Sequence, residues 1–128
     1  MRATTRRVGM AFLLLLAACG DPPEINNVQD LADALVDEGF EKCSEISDNG
    51  NNTAVCVGEG AERFFLYVST EGGVKMIVQS LRVGGTGGAI ASGDNWVVMV
   101  YDVAIGRRVS EAFEGDFVCV EGSALKTC

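Results

Sequence analysis

Apolar residues at Val28, Leu31, Ala32, Leu35 and Val36 fall at i, i+3, i+4, i+7 and i+8, which aligns them along one face of a helix. Asn26 or Asn27 caps its start, Gly39 takes the left-handed position beyond its end, and Asp30, Asp33 and Asp37 lie on its solvated faces. The period then changes. Phe40 to Ile46 and Thr53 to Val57 read as strands flanking "SDNGNN", a run of residues that accept turn conformations readily. "GEGA" at 58–61 is a second turn and leads into Glu62 to Ser69, "ERFFLYVS", the most strand-like run so far. Val74, Ile77, Val78 and Leu81 return to helical spacing and predict a helix over residues 71–82. Gly72 and Gly73 weaken its first turn by about 1 kcal/mol each relative to Ala. Asn95 to Tyr101, "NWVVMVY", is a near-continuous apolar strand suited to the centre of a sheet. Asp102 caps a last helix in which Ile105, Val109, Ala112 and Phe113 share a face, ending at Gly115. The expected fold is a single small α+β domain. Its antiparallel sheet has about four strands and two to three helices, in the order α-β-β-β-α-β-α.

The N-terminal pattern belongs to a different kind of object. Arg2, Arg6 and Arg7 precede an unbroken run of apolar residues and Gly from Val8 to Ala18. A membrane span needs about 20 apolar residues, and this run is shorter. A basic head, a short apolar centre and small residues at the end describe a secretory signal. Leu16-Ala17-Ala18-Cys19 resembles the lipobox of bacterial lipoproteins. That resemblance implies a diacylglyceryl group on the Cys19 thiol, cleavage before Cys19, and acylation of the new N-terminus by a chain such as palmitate. Each buried CH₂ contributes about 0.8 kcal/mol, and two chains anchor stably where one does not. The expected organisation is signal peptide 1–18, lipid-anchored tether 19–26, α+β domain 27–118 and a disulfide-closed tail 119–128.

Cysteine usage fits the same reading. Five cysteines are an odd number, and in an exported chain the leftover one has another task. With Cys19 lipidated, Cys43, Cys56, Cys119 and Cys128 remain to pair in an oxidising compartment. Of the three connectivities, the two local ones are favoured, Cys43 with Cys56 and Cys119 with Cys128. Loops of that length are worth roughly 2 to 3 kcal/mol each. A metal site is disfavoured, because the chain has no Cys-x-x-Cys spacing and no histidine.

Charge narrows the partners. All eighteen acids follow Cys19 and three of the ten basic residues precede it, so from Cys19 onward seven positive and eighteen negative side chains leave a balance of −11. Nucleic-acid binding needs a basic stripe, and none is present. The acids and amides of 48–52 do not have the spacing of an EF-hand loop. "VGGTGGAIASGDNW", residues 83–96, lacks both the G-x-G-x-x-G placement of a dinucleotide loop and the Lys of a P-loop, and reads as a flexible connection. Without histidine there is no Ser-His or Cys-His nucleophile pair. A carboxylate-based envelope hydrolase is the one enzyme class left, and no enzyme activity or cofactor is expected. Trp96 is the side chain most suited to stacking on a ligand, although an apolar strand more often turns such a ring into the core.

The order helix, two-cysteine hairpin, strand, helix, then "GDNWVVMVYD" at 93–102 and a helix ending "EAFEG" is similar to a group of small actinobacterial lipoproteins. These carry a Gly-x-x-Trp strand, matched here by Gly93 and Trp96. The Gly-rich 84–88 stretch and the Cys119 to Cys128 tail depart from that pattern. The resemblance implies a compact α+β domain on a lipid anchor and no particular activity. Two functions are expected: a tethered module that binds an envelope protein or wall polymer, or a blocking lipoprotein. The second class includes superinfection exclusion by a phage or prophage product and inhibition of an extracellular enzyme.

Overall fold

The computed structural model describes residues 23–56, 63–84 and 88–120. Helix α1, Val28–Asp37, begins where the Asn27 side chain accepts from the Asp30 N–H at 2.8 Å. Asp30 returns the bond by accepting from the Asn26 N–H at 2.9 Å, so one unpaired donor of the first turn and the N–H just before the cap are both satisfied. At the other end Gly39 adopts φ +97°. Its N–H donates to Val36 O and the Phe40 N–H to Leu35 O, both at 2.9 Å. This is the Schellman pattern, with Phe40 packed at the position that such a cap fills with an apolar residue.

That cap accounts for the first departure from expectation. Phe40 to Ile46 is not a strand, because Phe40 belongs to the end of α1 and Glu41–Ser44 form a 3₁₀ turn. Strand β1, Ile46–Gly50, starts later and uses up most of the stretch expected to be a turn. It pairs antiparallel with β2, Thr53–Cys56. The turn shrinks to Asn51 and Asn52, at φ 54° and 58°, the two positive values that a tight type I′ hairpin requires and that Asn tolerates. Cys43, on the 3₁₀ turn, is disulfide-bonded to Cys56 on β2.

Strand β3, Phe64–Val68, is followed by helix α2, Glu71–Gly84. Then come β4, Ala89–Ser92, and β5, Trp96–Val100. Helix α3, Val103–Ala112, is capped by Asp102, which accepts from the Ala104 N–H at 2.9 Å. The last strand is β6, Asp116–Cys119. Among the described residues the sheet therefore has six antiparallel strands in the order β1-β2-β3-β5-β4-β6, where about four were expected. Residues 89–92 are a strand inside the stretch read as a flexible connection, and residues 116–119 are a strand at the boundary read as the start of a tail.

Two crossovers build this order. β3 and β4 are both antiparallel to β5 and so parallel to each other, joined by α2 across one face. β5 and β6 are likewise both antiparallel to β4 and are joined by α3 across the other face. Residues alternate between the faces along each strand. Ala91, Trp96, Val98 and Val100 pack with α1 and α3, while Ile90, Val97 and Met99 pack with Val74 of α2. Helices on both sides leave every residue of β4 and β5 buried, which is why β5 reads as a continuous apolar run without alternation.

Candidate interaction surface

Two glycines govern how closely the central elements approach. A Cβ on Gly106 of α3 would lie 2.8 Å from the Ala89 Cβ and 3.1 Å from Val100 Cγ2. The helix thus rests almost directly on β4, and the small side chains of Ala89 and Ala91 face it for that reason. Gly88 enters β4 at φ +106°, with its would-be Cβ position against the backbone of Val100 and Tyr101. Only a residue without a side chain fits there.

The side chains singled out by the sequence are dispersed. Leu16, Ala17, Ala18 and Cys19, together with the rest of the expected signal and the first half of the expected tether, lie outside the described residues. Cys43 and Cys56 form one bridge at the β1–β2 end of the sheet. Cys119 ends β6 at the opposite edge and is also disulfide-bonded; Cys128, the partner expected for it, lies outside the described residues. Trp96 is 6 % exposed. Its ring meets Phe113 edge-on at 5.4 Å, and Gly93 and Gly115 close against the indole. It is part of the core beneath α3. Among the described residues no three His, Cys, Asp or Glu side chains gather where they could hold a metal ion, and no helix is long and apolar enough to cross a membrane.

The surface feature that the sequence did not reveal lies between α2 and the β6 edge. A groove of about 420 Å³ has Val74, Val78, Phe117 and Val118 as its apolar lining. Glu71, Asp94 and Asp116 line it too, together with Lys75, all exposed. Lys75 and Val78 also line a second hollow of about 340 Å³ that runs on to Arg82 and Val83, so the two meet along one flank of the helix. Val83 is 67 % exposed. The groove requires β6 beside β4, and "DFVCV" at 116–120 was its only sequence signal: a short β-rich run after Gly115.

On the same face of the sheet, Phe65 and Tyr101 meet edge-on at 5.6 Å, with Tyr67 and Tyr101 half-buried beside them. Burial pushes the Tyr67 hydroxyl above its ordinary range, and the neighbouring Tyr101 adds to the shift. On the opposite face a smaller hollow of about 210 Å³ is lined by Phe40, Phe64 and Ile105, with the Arg108 guanidinium 4.9 Å above the Phe40 ring. Comparison with family models, curated proteins and solved structures finds no match to this chain.

Proposed function

We propose that this chain is an extracytoplasmic lipoprotein, anchored through Cys19, whose α+β domain binds an envelope protein or wall polymer. The observation that carries the reading is the complete signal ending in Leu16-Ala17-Ala18-Cys19. The Cys43–Cys56 bridge supports it, since disulfides persist in oxidising compartments. The anchor also constrains the domain. Asn95 Nδ2 donates to Ile25 O at 2.6 Å, which fixes the chain beside the β4–β5 turn. From Cys19 to Ile25 the chain spans at most about 20 Å, so the turn end of the sheet faces the bilayer at short range. A partner is then a component of the inner envelope within reach of that leash.

Fractionation tests the anchor. Cys19→Ser is expected to move the protein from the membrane fraction to the soluble or secreted one, and retention in the membrane would overturn the lipoprotein reading. In-cell crosslinking of the anchored protein identifies what the domain touches. Recovery of neither protein nor wall polymer would overturn its role as a binding module.

A further inference from the structure

Ser92 ends β4 and is 8 % exposed. The other buried polar side chain among the described residues, Ser110, donates its hydroxyl to the Arg107 carbonyl at 2.8 Å. The Ser92 hydroxyl has no hydrogen-bond partner among the described residues. A hydroxyl withdrawn from water without a partner is destabilising, so its position calls for a reason. Ser92 stands two residues after Ile90 and opposite Val97 and Asp116. It therefore shares the α2 face with Ile90 and Val97, and it opens into the groove between α2 and β6.

Charge and shape around that hydroxyl define what it faces. Glu71 and Lys75 come from α2, Asp94 from the β4–β5 turn and Asp116 from β6. Lys75 offsets one of the three carboxylates, which leaves negative charge in excess. Among the described residues none of the four is in an ion pair. Val74, 5 % exposed, forms an apolar wall with Val78 and Val118. Phe117 borders the groove from β6. Its register with Ala91 turns its ring toward α3, where the Arg107 guanidinium stands 4.5 Å from it, so that cation lies on the other face of the sheet.

We propose that this groove binds a small aliphatic amine as its ammonium ion. The ammonium donates to the Ser92 hydroxyl oxygen and is held by the surplus carboxylates, while the carbon chain lies along the valines. An ammonium carries three donors and no acceptor, the complement of a hydroxyl oxygen among carboxylates. A metal ion is the poorer match, because among the described residues no three such side chains gather closely enough to hold one. Methylene spacers let an amine reach oxygens set further apart. The groove, about 420 Å³, lies at the small end of the range of ligand clefts, about 300–1,000 Å³. This inference goes beyond the binding-module reading and does not depend on it.

An NMR titration of the intact oxidised chain with diaminopentane tests the proposal. Pentanediol supplies the same carbon chain without charge, and tetramethylammonium supplies charge without N–H donors. Saturable shifts are expected at Ser92, Asp94, Asp116 and the first turn of α2, with both controls at least about tenfold weaker. Ser92→Ala should weaken diaminopentane by about tenfold and leave the thermal midpoint unchanged or higher, since it removes an unpartnered hydroxyl. Asp94→Asn/Asp116→Asn alters only exposed side chains and should weaken it by a similar factor, with circular dichroism checking the fold. Shifts that do not saturate and spread over the acids of the whole domain overturn the proposal. So does equal binding of tetramethylammonium, or full affinity in Ser92→Ala. A lower midpoint for Ser92→Ala would give the hydroxyl a structural task and overturns it as well. Saturable binding of a lysine-rich peptide but not of diaminopentane would assign the groove to a protein instead. In each of these cases the fractionation and crosslinking results stand separately.

Discussion

At the scale of single residues, the tightest constraint is the contact of Gly106 with β4. A methyl group there has no room, since Ala89 Cβ and Val100 Cγ2 already occupy the space. Gly106→Ala should therefore destabilise the domain by roughly 1–3 kcal/mol, the ordinary cost of overpacking, although Ala is the better helix former by about 1 kcal/mol. Urea unfolding measures it, and an unchanged or higher midpoint would show that α3 can lift away from the sheet. Tyr67 sets a second, pH-dependent expectation. Burial raises its folded pKa above the unfolded one, so the neutral phenol is favoured in the fold. Its contribution is fully present below about pH 10, the ordinary tyrosine value, and is lost as the pH rises through the folded value. Stability should fall more steeply in alkali for the native chain than for Tyr67→Phe, read from urea midpoints across that range.

At the scale of elements, what the chain discloses in advance depends on whether an element carries its own punctuation. Helices α1 and α3 were legible because Asn27 and Asp102 cap them and Gly39 closes the first. β5 was legible because five consecutive apolar residues between turn signals have few other uses. β4 was not, since Ala-Ile-Ala-Ser is short, flanked by glycines and buried on both faces, so no period of two survives in it. Its small residues answer to Gly106, a partner 15 or more positions away that no local window contains. The same gap hid the groove, which needs both β4 and β6 in place. One element is held covalently: the 3₁₀ turn Glu41–Ser44 is tied to β2 through Cys43 and Cys56. Replacing both cysteines by Ala should cost roughly 3 kcal/mol, as expected for a loop of this length. A thermal midpoint that stays put would show that the cap at Phe40 already holds this turn.

At the scale of the whole molecule, charge opposes compactness. Eighteen acids face ten basic residues in the chain, and most of the acids in the described residues are exposed. Self-repulsion of this kind destabilises a folded state and is screened by salt. The thermal midpoint should rise between low salt and about 0.5 M NaCl, where the Debye length falls below about 5 Å; a flat response would mean that the acids are spaced too widely to repel. The sheet counters this repulsion in its middle, where β5 and β4 are clamped between helices on both faces, and its outer strands have less to hold them.

Those outer strands are where the disulfides sit. Cys56 is on β2, beside the β1 rim, and Cys119 is on β6 at the other rim. A chain made in a reducing cytosol would keep its buried centre and loosen at both margins, baring two strand edges at once. Such margins recruit one another, so cytosolic material should collect in insoluble particles while exported material stays dispersed. For this fold, the compartment of synthesis acts as a solubility switch.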